Sequence, residues 1–235
     1  MRLPPPARGI PSLMTDFPMH LARIGQRIGA YKAENKRIFA TTSCQTNSVV
    51  LLHILSQVAP DTPIYFLNTG YHFPETLAFK RQLAALLDVS ILDLFSALPR
   101  SQQRVDGRFV FTSDPDYCCN LNKILPLEPV LRTHDIWING IRAGQSAVRR
   151  SMGEEQPAKF GIIRYHPILE WTDEMVSEYI AANSLPRHPL EADGYRSIGC
   201  RPCTRPPTPD SDRDGRWVGM QKTECGLHTD LGGAQ

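Results

Sequence analysis

Residues 37–58 read RIFATTSCQTNSVVLLHILSQV. The apolar run Arg37–Thr42 predicts a short buried strand, and an apolar helix follows from Ser48 through Val58, closed by Ala59-Pro60-Asp61. Between them lies a hydroxyl-rich turn, Thr41 to Ser48. Working outward, Pro63–Leu67 predicts a second buried strand. The loop NTGYHF, a helix opening at Pro74-Glu75 and a strand over Val89–Phe95 complete a βαβαβ run. Upstream, Leu21, Ile24, Ile28 and Tyr31 lie at helical spacing within Phe17–Glu34; downstream, Asp135–Ile141 and Ile162–Ile168 predict two more strands, and Thr172–Asn183 a capped helix. Strands alternating with helices predict an α/β fold, a parallel sheet covered by helices on both faces, with ligands bound where strands end and helices begin.

The chain has 235 residues, 41% hydrophobic and 21% charged, with a net charge of +2. This composition excludes wholesale disorder and gives nucleic-acid binding no support from bulk charge. The longest apolar stretch, Val49–Leu55, is broken by His53 and falls short of the roughly 20 residues of a membrane span. The opening MRLPPPARGIPSLM lacks a continuous apolar core, so residues 1–16 read as a flexible arm rather than a signal peptide, and the expected compartment is the cytoplasm. Residues 17–184 form the expected α/β domain. Residues 185–235, rich in Pro, Gly, Arg and Asp, form an irregular C-terminal segment that wraps or caps it.

The turn at 41–48, with Thr42, Ser43 and Gln45, sits where hydroxyls, amides and the positive helix end converge, which suits a phosphate; simple helix capping accounts for the same residues equally well. It has neither the Lys nor the glycines of a Walker A loop. After the strand at 135–141, Gly140, Arg142 and Arg149 place two guanidiniums at the same sheet edge, against the plain alternative of solvated surface arginines. Six cysteines without a secretion signal read as working thiols rather than disulfides. Cys118, Cys119, Cys200 and Cys203 form two close pairs, which can hold zinc or an iron–sulfur cluster; an adjacent Cys-Cys suits the separate corners of a cluster better than one tetrahedral ion. Cys225, between Lys222 and His228, reads either as a nucleophile whose thiolate those cations favour or as a stray surface cysteine. The run Asp210 to Gly215 copies the start of a calcium loop, but Gln221 stands where the bidentate Glu belongs, so it reads as an acidic loop.

Taken together, CC at 118–119, GCRPCT at 199–204, GRW at 215–217 and KTECGLH at 222–228 resemble the assimilatory adenylyl-sulfate reductases, the cluster-bearing branch of the sulfonucleotide reductase family. FLNTGYHFPET at 66–76, with Thr69 and Gly70, and GIRAGQSAVR at 140–149 are similar to two further segments of that family. The resemblance implies an adenine-nucleotide α-hydrolase-like fold and a 4Fe–4S cluster on Cys118, Cys119, Cys200 and Cys203. It also implies a nucleophile at Cys225, Lys123 as an electrostatic link between the cluster and the sulfate end of the substrate, Arg213 and Arg216 near that sulfate, and His228 as the substrate-binding His of the tail motif. The activity implied is thioredoxin-dependent reduction of adenylyl sulfate to sulfite and AMP through an S-sulfocysteine, within sulfate assimilation. The same reaction on 3′-phosphoadenylyl sulfate is the nearest alternative, and a zinc-stapled nucleotide- or RNA-binding module is a reading from another class. The implied partners are the sulfonucleotide and a reduced thioredoxin or glutaredoxin-like donor, with no nucleic acid and no membrane; a homo-oligomer is compatible with all of this. Three departures stand out: Ser43-Cys44-Gln45 where relatives commonly carry Ser-Phe-Gly, Asn122 for a basic residue, and Pro115 for a frequent His.

Overall fold

The computed structural model describes residues 16–206, 215–220, 222, 224–229 and 231. The expected N-terminal arm, apart from Asp16, and Arg213 lie outside these residues, as does most of the acidic loop. Helix α1 (Phe17–Ala33) is capped by the Asp16 carboxylate, which accepts from the Met19 amide at 3.0 Å. Then come β1 (Ile38–Thr42), α2 (Thr46–Val58), β2 (Ile64–Leu67), α3 (Pro74–Leu87) and β3 (Ile91–Leu94). A hairpin of β4 (Arg104–Val105) and β5 (Arg108–Phe109) leads into α4 (Val110–Ser113) and α5 (Pro115–Cys119). After α5 the chain winds into a π turn, Asn120–Ile124, before α6 (Leu125–Thr133). The remaining elements are β6 (Ile136–Ile138), α7 (Ala147–Arg150), β7 (Glu155–Pro157), β8 (Ile163–Tyr165), α8 (Asp173–Ala182) and α9 (Gly226–Thr229).

Six strands form one sheet in the order β3-β2-β1-β6-β8-β7, parallel except for β7, which runs antiparallel to β8. Alternation along the strands fills both faces. Ile38, Ala40, Ile136 and Ile138 join the core beneath α1, α2, α3 and α8, whereas Phe39 and Trp137, paired in register, face Leu127, Val130 and Leu131 of α6. The expected parallel sheet with helices on both faces is therefore present. From β1 the chain runs outward through β2 to β3, and from β6 outward to β8, so the β1–β6 boundary is a topological switch point.

The strands are shorter than their apolar runs. In Asp135–Ile141 only Ile136–Ile138 stay in the ladder; Asn139 and Gly140 leave it, and Ile141 is still buried beyond them. Two features were not anticipated. Asp106 and Gly107 both have positive φ, 49° and 76°, the geometry that closes the β4–β5 hairpin. The π turn precedes Pro126, which has no N–H to offer the Asn122 carbonyl and whose ring crowds it; Leu125 N–H reaches back to Asn120 O instead.

Beyond α8 the chain forms no further sheet strand among the described residues and lies across the strand ends. Thr76 Oγ1 and His188 Nε2 are 2.9 Å apart, Ile198 N donates to Gln45 Oε1 at 2.9 Å, and Arg201 N donates to Tyr71 O at 2.7 Å. The wrapping segment thus touches the turn after β1 and the loop after β2.

Candidate active site

A cleft of about 860 Å³ opens at the C-terminal ends of β1 and β6, where the switch point places it. Its floor includes the turn after β1. Gln45 at the N-cap of α2 makes no side-chain cap bond; instead the hydroxyls bond among themselves, with Ser43 Oγ 2.8 Å from Ser48 Oγ, and Thr42 Oγ1 accepts from Cys44 N at 3.1 Å. Cys44 adopts φ +55°, which turns its side chain into the core, and burial pushes its thiol up to about 12. Gly140 faces this turn from β6, and a Cβ there would come within 3.4 Å of Leu51.

Both arginines after β6 are held rather than solvated. Arg142, 5% exposed, donates to Trp171 O at 3.0 Å and pairs with Asp173 at the N-terminus of α8. Arg149 pairs through Nε and Nη2 with the buried Glu224 carboxylate, at 3.2 and 3.1 Å.

A smaller cavity adjoins the cleft, lined by Cys118 and Cys119 of α5, by Cys200 and Cys203, and by Thr69, Lys123, Arg216 and Trp217. Burial first, then the neighbouring Cys200 and Cys203 thiols, push the Cys118 thiol up to about 11; burial and Cys200 likewise raise Cys203. Such thiols lose their protons only to a cation that replaces the missing solvation. Neither a carboxylate nor an imidazole lines this cavity, yet among the described residues no three His, Cys, Asp or Glu side chains converge on one point as a single ion requires. The four sulfurs are set around a cavity rather than around one point.

Cys225 lies where the cavity meets the cleft. Lys123 Nζ donates to its Sγ at 3.2 Å, from the π turn that rotates Lys123 toward the junction. The Cys119 thiol donating to Cys225 and then the Lys123 charge, with a bond from the Leu227 amide, hold the Cys225 thiol well below its ordinary value despite burial. Burial opposes the charge on Lys123, but negative charge on the sulfurs of Cys225, Cys200 and Cys119 holds its ammonium well above the ordinary lysine range. The Cys225 sulfur and the Lys123 amino group are in direct contact at this junction. Lys222 forms a second tether, to Asp116 of α5.

Of the residues picked out in the sequence, Thr42, Ser43, Gln45, Lys123, Gly140, Arg142, Arg149, Arg216, Cys200 and Cys225 line the cleft together. Thr69 instead touches Cys200, Oγ1 to Sγ 3.2 Å, and Gly70 is an exposed turn residue at φ +71° that lines neither cavity. Arg213 and the His228 side chain lie outside the described residues. Arg216 stacks over Trp217 at 4.4 Å and donates to Cys203 O and Ser197 Oγ, each at 3.3 Å. A Cβ at Gly199 would overlap the Arg216 guanidinium, so glycine there makes room for it. Sequence reading passed over Gly199, Glu224 and His72; the first two adjoin chemically active cysteines, and that adjacency was the available signal. His72 lies against the Phe66 ring with Nε2 2.9 Å from Leu67 O, and burial pushes it down to about 4, so it is neutral.

Residues 37–206 match the model of the phosphoadenosine phosphosulfate reductase domain. A relative named adenosine 5′-phosphosulfate reductase from Rhodococcus erythropolis is 38% identical over 85% of this chain and 82% of its own length. Its namesake from Mycolicibacterium smegmatis is 39% identical over 76% of this chain and 77% of its own. Among solved structures, phosphoadenylyl-sulfate reductase from Candida auris aligns with TM-score 0.64 at 21% identity, over 79% of this chain and 93% of that one. FMN adenylyltransferase from Candida glabrata aligns at TM-score 0.54 and 13% identity, over 86% and 67%; these two likenesses concern the fold alone. With a family model over most of its length and relatives near two-fifths identity, the chain belongs to the phosphoadenosine phosphosulfate reductase domain family.

Proposed function

We propose that this protein is an oxidoreductase of sulfate assimilation that reduces adenylyl sulfate to sulfite and AMP, with Cys225 as nucleophile. The observation that carries the reading is the Cys225 sulfur, 3.2 Å from Lys123 Nζ, at the junction of a nucleotide-sized cleft and a cavity lined by four cysteines. The Cys225 sulfur attacks the sulfate sulfur; the bond from that sulfur to the bridging phosphate oxygen breaks, and its electron pair leaves on AMP. The hydroxyl turn at 42–45 and the edge carrying Arg142 and Arg149 receive the phosphate, while Lys123, Arg213 and Arg216 offset charge on the sulfuryl oxygens. His228 belongs to the same tail motif.

The product on the enzyme is a Cys225 S-sulfonate. A thiolate of a reduced dithiol donor, thioredoxin or a glutaredoxin-like protein, attacks the Cys225 sulfur, and sulfite departs with the electron pair of the S–S bond. The donor's second thiol closes its disulfide and returns Cys225 as a thiolate, so two electrons pass from donor to sulfur. Cys118, Cys119, Cys200 and Cys203 would hold a 4Fe–4S cluster. When bound, such a cluster supplies a fixed charge centre beside Lys123. Identities near two-fifths to proteins named for adenosine 5′-phosphosulfate favour that substrate over its 3′-phosphorylated form. No described helix is long and apolar enough to cross a membrane, and a reaction run on reduced thiols fits the cytoplasm.

Incubation with sulfur-labelled adenylyl sulfate, without reductant, is expected to leave label on a peptide containing Cys225, and reduced thioredoxin to release it as sulfite. Label at Cys44 would move the nucleophile to the turn and overturn the reading. Iron and acid-labile sulfide are expected in anaerobically prepared protein; stoichiometric zinc with neither would overturn the cluster assignment.

A further inference from the structure

We infer that Glu224 is a positioning residue, which seats the Cys225 nucleophile by drawing on the same arginine that the nucleotide phosphate uses; the inference rests on the reading of Cys225 as nucleophile. Four donors converge on one buried carboxylate. Arg149 Nη2 donates to Glu224 Oε1 at 3.1 Å and Arg149 Nε to Oε2 at 3.2 Å, a two-point guanidinium–carboxylate pair whose side chains are only 9% and 2% exposed. Ser146 Oγ donates to Oε2 at 3.2 Å, and the backbone N–H of Cys225 itself donates to Oε1 at 3.0 Å.

Ser146 and Arg149 are the N-cap and third residue of α7, the short helix that follows the cleft edge, and Ser146 Oγ also accepts from Arg149 N at 3.2 Å. Glu224 therefore ties the peptide just ahead of the nucleophile to the rim of the nucleotide cleft. Regular structure contributes little to this seat. Residues 222, 224 and 225 belong to no helix or strand, and α9 is four residues long. The Lys222–Asp116 tether ends on a carboxylate that is 69% exposed, where solvent weakens it.

The arrangement separates two quantities. With its charge on Arg149, the Glu224 carboxylate competes with an incoming phosphate for the same guanidinium while holding the thiolate in place for attack. Removing that charge should therefore misplace the nucleophile yet leave nucleotide binding intact or tighter. A residue whose role is only structural would weaken both.

The test is Glu224→Gln in the full-length, anaerobically prepared protein, measured by single-turnover transfer of label from adenylyl sulfate to Cys225 and by AMP binding. Label transfer is expected to slow about 10- to 100-fold, the scale of a lost charged hydrogen-bond pair, while AMP binds as tightly as to wild type or more tightly. Release of sulfite from prelabelled protein by a small dithiol should keep its rate, and Glu224→Asp should recover part of the transfer rate. Label transfer within about threefold of wild type, or parallel loss of AMP binding and transfer, would overturn the inference. If Glu224→Gln folds poorly, Ser146→Ala removes one of the four donors and should shift transfer in the same direction, by less; no change in transfer would likewise count against it. Failure of the wild type to take label on Cys225 would instead overturn the nucleophile itself, so the two failures are distinguishable.

Discussion

Strands β1 and β6 deliver Thr42 and Gly140 to the cleft on a backbone whose apolar side chains, Phe39, Ala40, Ile136 and Ile138, are at most 1% exposed. The described residues among 215–227 deliver Arg216 and Cys225 to the other wall with one isolated bridge, Thr204 to Arg216, beneath them, through Arg216 on Cys203 O, Lys222 on Asp116, Glu224 on Arg149 and Lys123 on Cys225. One wall is placed by burial, the other by charge. On the proposed reaction, a wall that presents the same sulfur first to a nucleotide and then to a protein-sized thiol donor cannot be locked into a core, and charged contacts can be broken singly and remade. Substitutions should therefore divide: on the charged wall they should cost chemistry with little stability, and on the buried wall the reverse.

Lys123→Ala should break the charged wall most severely. Loss of one preorganised cation beside developing charge is expected to lower kcat by about 100-fold or more, with iron content retained. The sign for pH follows from the contact. Apart from the contact with Cys119, the Lys123 charge, 3.2 Å from the Cys225 sulfur, lowers the Cys225 thiol, so removing it should move that thiol up. Alkylation of Cys225 at neutral pH should be slower than in the wild type, and its rise with pH should move toward alkaline pH. A kcat within about threefold of wild type would show that the charge does not act in the reaction, and loss of iron would give Lys123 a role in assembly instead.

Gly199→Ala sharpens the same division at intermediate size. The added methyl overlaps the Arg216 guanidinium, so Arg216 must leave Cys203 O, Ser197 Oγ or the Trp217 face. If Arg216 meets the sulfate end of the substrate, KM for adenylyl sulfate should rise about tenfold, the value of one charged hydrogen bond, while the melting temperature moves little. An unchanged KM would place Arg216 outside substrate recognition.

The same division governs what could be read from the sequence. The sheet was legible because burial leaves a period: Ile38 and Ala40 against Phe39, and the Pro and Asp that close α2, are local signals. Asp106-Gly107 was an equally local hairpin signal and was passed over because strands of two residues carry no period. The edge strand β7, Glu155-Gln-Pro157, is polar and is joined to α1 by Arg27 and Glu155, partners remote in sequence. The cysteines, Lys123 and Arg216 were visible as chemically active residue types at the spacings of a family. The pairings were not. Nothing local joins Glu224 to Arg149, Gln45 to Ile198 or Gly199 to Arg216, because charge and close approach between distant segments leave no period.

Cys44→Ala should have the smallest effect on chemistry and tests the buried wall. The Cys44 side chain is fully buried, and burial pushes its thiol up to about 12, so almost none of it is thiolate at neutral pH. Its backbone at φ +55° is fixed by the turn, with Cys44 N donating to Thr42 Oγ1, and alanine leaves that bond in place. Loss of the sulfur from a packed site should lower unfolding stability by about 1 kcal/mol, read as a shift in urea midpoint, while turnover stays within about twofold. In the folded wild type a thiol reagent should modify Cys225 and leave Cys44 untouched until urea unfolds the chain. A Cys44→Ala variant of full stability but greatly reduced turnover would reverse the contrast between the two walls, because the chemistry would then run through a cysteine that burial has made inert.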